Sequence, residues 1–551
     1  MNEVPIKIYT DKSTKHYKTG THIFTVDGVN KKTKIINEFN GCYFHGCSKC
    51  YPTQKSRLEK TNERAQLLKD NGYTINEMWE CEWTELKKTL PNKLEIEQQG
   101  KAQNINIRDG MFGGRTEVFK SYVKCNEHQK ILAVDVTSLY PTVNALDPYA
   151  VGFKKYVNIT PDDIKSGKFF GVAKVDITPP NNIYVPVLPY RADNKLMFHL
   201  DEMKETTLSS VELKKALEHG YKITKIHAAL AYDKYDGLMK KYVETFIKMK
   251  IENSGVISEA ECEEINKYHV GLGFDFKICC NDCKMNKGLR QVSKICLNSL
   301  WGKFGQRSNL DSYEFVKTYA SFIKKLCDTK LNVKTWDILH EDCVEMRFCE
   351  DSDKSIEADY ISEITAVFTN SNARMRLFDF LSWMHPTQLI YCDTDSCYFL
   401  YDETNPLHKK ADNNNPTLPA SIKFGSGLGQ WSDEFKGSYA TEMVCGGAKS
   451  YAVKMADGSV KMAQKGITLD CNNSDIFTFE RMKDMVVNDS TIKSAERYQF
   501  KWEKKNIITT YMSREIQSTV NSKRLVDGYD TLPVGIDKKA YRLKQWQESK
   551  Q

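Results

Sequence analysis

Apolar and polar positions alternate along this chain in stretches that predict its central elements. Leu389-Ile390-Tyr391-Cys392 and Cys397-Tyr398-Phe399-Leu400 are β-prone runs separated by the polar Asp393-Thr394-Asp395-Ser396. That arrangement predicts a β-hairpin with its acids at the tip. Lys130-Ile131-Leu132-Ala133-Val134 is a second β-rich run, which ends in Asp135 and passes into Val136-Thr137-Ser138-Leu139-Tyr140-Pro141. Residues 290–302 carry helical spacing instead, with Arg290, Lys294, Asn298 and Trp301 on one face. Elsewhere the pattern predicts strands over 172–177 and 184–189 and helices over 210–218, 235–250 and 364–383.

Residues 1–95 read as a separate unit. Strands are expected over 21–27 and 34–39 and a helix over 57–71, with a dense cluster of Cys42, His45, Cys47 and Cys50 between them. Cys47-x-x-Cys50 is a metal-knuckle spacing, which Cys42 and Cys81 would complete as a structural zinc site; unligated thiols are the plainer reading. Residues 83–110, including the polar Gln98-Gln99-Gly100-Lys101-Ala102-Gln103-Asn104, read as a linker. A second thiol knot, Cys279-Cys280-Asn281-Asp282-Cys283, precedes the 290–302 helix.

Composition narrows the class. At 551 residues the chain is too long for one core. It shows no secretory signal and no run long enough to span a bilayer, so an intracellular protein without a membrane is expected. Seventeen cysteines in that setting suggest free thiols or metal sites rather than disulfides. Lys+Arg 79 against Asp+Glu 72 gives +7, of which +6 falls in residues 447–551. A basic segment rich in Tyr, Trp and Ile suits a folded grip on a nucleic-acid backbone better than a solvated tail.

Carboxylates two apart at a turn repel each other and become useful together around a divalent cation. An isolated Asp-x-Asp is more often a surface turn, but the flanks here are of buried type. A strand that ends in Asp and turns through Ser-Leu-Tyr-Pro presents a carboxylate, a carbonyl and several backbone N–H groups. Those are the parts that hold a metal-bound triphosphate. On the helix, two cations, an amide and an indole suit phosphates, a base edge and a sugar plane. An ordinary amphipathic helix is the alternative.

Asp135-x-x-Ser138-Leu139-Tyr140-Pro141, Lys294-x-x-x-Asn298-Ser299-x-Trp301-Gly302 and Tyr391-x-Asp393-Thr394-Asp395-Ser396 resemble motifs A, B and C of family B DNA polymerases, in order. Lys449-Ser450-Tyr451 matches that family's Lys-x-Tyr primer grip. The long spacers between motifs resemble the protein-primed branch, found in linear viruses, linear plasmids and self-replicating transposons. The resemblance spans residues 100–551 and implies an α+β right-hand architecture. Residues 96–149 would be linker and first palm part, and 150–284 a palm connection with a first insertion. Fingers would follow over 285–307, a second insertion over 308–360, palm over 361–446 and thumb over 447–551.

The resemblance also implies roles. Asp135, Asp395 and the Val136 carbonyl would hold two Mg²⁺ or Mn²⁺ ions, with Asp393 as an outer catalytic carboxylate. Arg290, Lys294 and the Ser138 and Leu139 N–H groups would bind the triphosphate of an incoming deoxynucleotide. Tyr140 would lie under its sugar and Asn298 near the base pair. Trp301 stands where the family has Tyr. Gly113, Gly114, Arg115, Thr394, Lys449, Tyr451 and Lys465 would contact primer–template DNA, and a terminal protein would serve as primer. Family B enzymes usually open with an Asp-x-Glu exonuclease motif. None precedes Asp135, so the chain either does not proofread or is a piece of a longer one.

In the first unit, Gly41-Cys42-x-x-His45, Gly72-Tyr73 and Trp79-Glu80-Cys81 are similar to the very short patch repair endonucleases, whose fold is restriction-endonuclease-like. That likeness puts Asp27 at the metal position and His45 at an assisting one. Asn40 takes the place of another histidine. An amide cannot shuttle a proton, so a structural or DNA-docking remnant is expected rather than a working nuclease. The rival readings are a reverse transcriptase, a nuclease acting through the first unit, and a DNA-binding relic without catalysis.

Overall fold

The computed structural model describes residues 6–9, 22–30, 33–89, 105–192, 195–307, 309–350, 361–503 and 506–542. The expected linker stretch 98–104 and the 351–360 end of the expected second insertion lie outside these. The chain divides into two compact units, Met1–Ala102 and Gln103–Gln551. Among the described residues no helix is long and apolar enough to cross a membrane.

In the first unit, Ile35–Asn40 pairs antiparallel with Gly28–Asn30 and parallel with Thr74–Trp79. A parallel pair needs a crossover, and the helix Lys55–Asp70 supplies it. Among the described residues its buried apolar cluster is Val26, Ile36 and Leu68.

The second unit is built on an antiparallel sheet of nine strands among the described residues. Its main path runs Val460–Gln464, Ser450–Met455, Ala440–Gly447, Gln129–Val136, Ser396–Asp402, Leu389–Asp393 and Thr116–Val118. Both expected motif strands are therefore central neighbours. The helix Glu363–Trp383 lies against this sheet; its Phe378, Phe380 and Leu381 share a core with Val134, Cys392, Cys397 and Phe399. A second antiparallel sheet orders Met203–Ser209, Gly171–Thr178, Lys222–Asp236 and Pro148–Tyr156. Residues 312–350 add a three-stranded sheet with the helix Tyr319–Leu326.

Two expectations are corrected. Residues 184–189 form no strand, although Tyr184, Val185, Val187 and Leu188 are buried. Pro186 and Pro189 carry no N–H for a ladder, and the Val187 N–H donates to the Tyr221 hydroxyl instead (2.9 Å). The helix expected over 235–250 begins later, at Lys240, because the preceding strand runs through Tyr235 to Asp236 before Gly237 turns the chain.

Candidate active site

The hairpin Leu389–Asp393 and Ser396–Asp402 turns through Thr394, whose φ is +62°. Its register places Cys392 opposite Cys397 and Ser396 opposite Asp135. The Val136 N–H donates to the Asp395 carbonyl (2.8 Å). The acids of the two motif strands thus come from neighbouring positions, held by flanks with no exposure at Ile390, Tyr391, Cys392 and Cys397.

Burial, and then Asp395 and Glu434, push the Asp135 carboxyl up to about 8. Burial and then Asp393 push Asp395 up to about 6. A buried acid pair that resists ionising in this way is a fitting seat for divalent cations. Glu434, which raises both groups, is a carboxylate that the motifs did not reveal.

Asp393 faces elsewhere. The Lys449 ammonium donates to both of its oxygens at 2.9 Å, joined by the hydroxyls of Thr116 (3.0 Å), Thr394 (3.0 Å) and Tyr391 (3.3 Å). With its lone pairs so engaged, Asp393 holds Lys449 rather than joining the pair.

A cleft of about 510 Å³ opens over the acids. Asp135, Val136, Ser138, Leu139, Tyr140, Lys294, Asn298, Trp301 and Asp395 line it, so nine residues singled out from the sequence meet in one place. Ser138, at φ +57°, caps the helix Leu139–Leu146 and leaves the first-turn N–H groups without intrahelical partners. The helix Lys287–Phe304 presents Lys294, Asn298 and Trp301 from one face. The Tyr140 and Trp301 rings stack at 5.0 Å and 15°.

Lys250 is the residue that the sequence did not disclose. It lines the cleft, donates to the Ser138 hydroxyl (3.1 Å), and is held below the usual lysine range by burial, Arg290 and Lys294. Its only signal was a place late in an expected helix. Arg290 stands aside, donating to the Ser254 hydroxyl (3.2 Å).

The expected DNA contacts divide. Lys465 lines a groove of about 330 Å³ with Gly447, Thr116 and Lys523. Gly447, at φ +142°, lets the backbone pass where a Cβ would strike the Thr519 hydroxyl. Tyr451 packs among Tyr391 and Tyr398 (ring centroids 5.2 and 5.5 Å). Gly113 has open space around it, whereas a Cβ on Gly114 would meet the Thr394 hydroxyl at 2.7 Å. Arg115 is a correction: it is 1% exposed, donates twice to Glu117 and once to the Pro186 carbonyl, and has no face for DNA.

In the first unit, the sulfurs of Cys42, Cys47, Cys50 and Cys81 all lie within 4.8 Å of one another. Cys47 and Cys81 are 3.8 Å apart, close to the edge of a tetrahedral thiolate site, about 3.8 Å for a metal–sulfur bond of about 2.3 Å. The four residues therefore fit zinc. The 279–283 knot does not gather so: the Cys262 thiol donates to the Ile278 carbonyl and the Cys283 thiol to the Cys279 carbonyl. Asp27 accepts from the Phe39 N–H (2.7 Å), and burial lowers half-buried His45, which also feels Arg64 and Asp27. Asn40 is 2% exposed and out of reach of solvent.

Residues 83–268 match the family model described as DNA polymerase type B, organellar and viral. That span includes Asp135 and Tyr140 and stops short of Lys294 and the Asp393–Asp395 turn. The chain is 26% identical over 381 residues to a protein of Kluyveromyces lactis named DNA polymerase. The alignment takes in 66% of this chain and 32% of the relative, so the chain spans about a third of that protein's length. Two solved structures of Phi29 DNA polymerase are also similar. The first, with primer–template DNA and incoming nucleotide, is 17% identical with a TM-score of 0.49, covering 78% of this chain and 63% of the other. The second, with primer–template DNA alone, is 16% identical at 0.48, covering 79% and 65%.

Proposed function

We propose that the chain is a DNA-directed DNA polymerase that adds deoxynucleotides to a primer hydroxyl. The observation that carries this reading is the cleft in which Asp135 and Asp395 meet Lys250, Lys294 and the stacked Tyr140 and Trp301. Two Mg²⁺ ions on Asp135, Asp395 and the Val136 carbonyl would supply activation of the hydroxyl and neutralisation of the leaving pyrophosphate. Lys294 and Lys250 bind triphosphate oxygens from two helices, and their charge matters most as the leaving group develops. The Ser138 and Leu139 N–H groups add donors. Tyr140, braced by Trp301, closes the wall beside the sugar and leaves no room for a 2′-hydroxyl. Asn298 faces the nascent base pair, and Lys449 and Tyr451 steady the primer end, with Asp393 orienting Lys449.

A palm, fingers and thumb arrangement follows from this reading, with 285–307 as fingers and 447–551 as thumb. So does priming by a terminal protein hydroxyl in the replication of a viral, plasmid or transposon DNA. The first unit is read as a zinc-organised docking element. The deciding experiment is extension of a primed DNA template with Mg²⁺ and deoxynucleotides. Extension of the DNA but not of an RNA template is expected; no incorporation on either would sink the reading. A mismatched primer end in the same assay reads out proofreading.

A further inference from the structure

Lys250 and Lys294 reach the cleft from two helices, Lys240–Glu252 and Lys287–Phe304, which residues 253–286 join. That join is closed at its base. The Lys284 N–H donates to the Glu252 carbonyl (2.9 Å) and the Asn286 N–H to the Asn253 carbonyl (3.1 Å). Within it, the helix Glu259–Gly271 is pinned by the Asn266 amide, which bonds the Ile278 backbone in both directions at 2.7 and 2.8 Å. A displacement of this helix thus reaches the ends of both helices that carry the lysines.

The same helix is fastened to a distant part of the chain. The Tyr268 hydroxyl donates to the Leu428 carbonyl (2.8 Å), and its ring lies so close to Gly427 that a Cβ there would meet it at 2.4 Å. Leu428 packs with Val243, Ile247 and Leu297 in one buried cluster. The next two residues pair with the cleft. The Gly429 N–H donates to the Thr137 carbonyl and the Thr137 N–H to the Gln430 carbonyl, both at 2.9 Å. Thr137 precedes Ser138, whose hydroxyl accepts from Lys250. Ser138 and Lys250 are therefore linked twice, directly and through Tyr268. A phosphate oxygen competes with the Ser138 hydroxyl for the Lys250 ammonium, whereas the Tyr268 bond lies outside that competition. A second cavity of about 510 Å³ shares Thr137, Ser138 and Lys250 with the cleft and has Tyr268 and Leu428 in its wall. Close packing does not fix the spacing across such a space.

We propose that Tyr268 is a positioning residue for the incoming nucleotide, its bond to Leu428 holding Lys250 at a fixed spacing from the Ser138 turn. The inference rests on the polymerase reading. Donors fixed before a ligand arrives spare it the cost of ordering them, so the loss of this tie falls on KM rather than kcat. Steady-state extension of a primed template with the deoxynucleotide varied tests it, alongside the thermal melt. Tyr268→Phe keeps the ring and loses the donor. It should raise KM about fivefold, leave kcat within about twofold and melt like the parent. Gly427→Ala, at a φ outside the left-handed region, sets a methyl against the ring and should raise KM by a similar factor. With Tyr268→Ala the obstructing ring is gone, so adding Gly427→Ala to it should change nothing further. Should Tyr268→Ala melt early, Tyr268→Phe decides alone. A parental KM in Tyr268→Phe, a loss confined to kcat, or additive effects of Tyr268→Ala and Gly427→Ala overturns the proposal while the polymerase reading stands. A parent that extends nothing sinks the polymerase reading, and this proposal with it.

Discussion

The acid pair at Asp135 and Asp395 and the thiol cluster at Cys42, Cys47, Cys50 and Cys81 face one problem, holding groups that repel once ionised. They solve it with different support. The acids project from central strands backed by a broad core, beside buried ion pairs such as Arg374–Glu212 and Arg115–Glu117. That scaffold can force two carboxyls together unaided. The thiols belong to a unit whose buried apolar cluster, among the described residues, is Val26, Ile36 and Leu68, and burial pushes the Cys42 thiol up to about 12. So small an apolar cluster does little against the entropy of ordering the unit. In the sheet, cations would enter a site that already exists. In the small unit, the cation would make the fold.

The sharpest way to break this contrast is to remove zinc. Structural zinc is worth about 10 kcal/mol or more of folding free energy in small domains. Chelation, or Cys47→Ser, should therefore unfold residues 22–89, seen as lost protection in hydrogen exchange, with about one zinc per chain released. Full protection in a zinc-free protein would show that the thiols pack without a metal. Asp395→Asn comes next. It removes several kcal/mol of transition-state stabilisation, so extension should fall about a thousandfold or more while primer–template affinity and the thermal melt stay near parent values. Extension at the parent rate would separate this residue from the chemistry. Lys250→Ala is milder. Losing one buried phosphate contact should raise the KM for deoxynucleotides about tenfold, with a smaller change in kcat. An unchanged KM would leave Lys250 a packing residue.

The sequence disclosed local pattern well and long-range position poorly. Strand alternation around Asp393 and Asp395 and the one-sided Lys294, Asn298 and Trp301 were visible because both periods are short. Lys250 was not, since only the fold brings it to Ser138. Arg115 was placed on DNA by the resemblance, which says nothing about burial. Glu117 two residues on, on the same strand face, was the available hint of an internal pair. Residues 184–189 showed the opposite error: apolar content signalled a buried segment correctly, while its prolines forbade the strand. The first unit was set off at about residue 95 by the polar stretch around it, and the two compact units divide at Ala102.

The smallest effect is also the most direct probe of the acid pair. Asp135 stands at about 8 and Asp395 at about 6, against about 4 in an unfolded chain. A raised folded pKa means that the folded state holds protons which the unfolded chain gives up. The stability tied to them is complete below about pH 4 and is lost as pH rises towards 8. Asp135 is only partly buried, so solvent screening reduces the effect. Asp135→Asn deletes the titration and should raise the metal-free melting temperature at pH 8 by a few degrees, about 1 kcal/mol. At pH 5 the same substitution should do little. Mg²⁺ should then raise the parent's melt at pH 8 and leave the variant's almost unmoved, because binding to the folded state stabilises it. A parent whose melt is flat from pH 5 to 8 and indifferent to Mg²⁺ would mean that the two carboxyls do not repel. The contrast with the thiol cluster would then lose one of its sides.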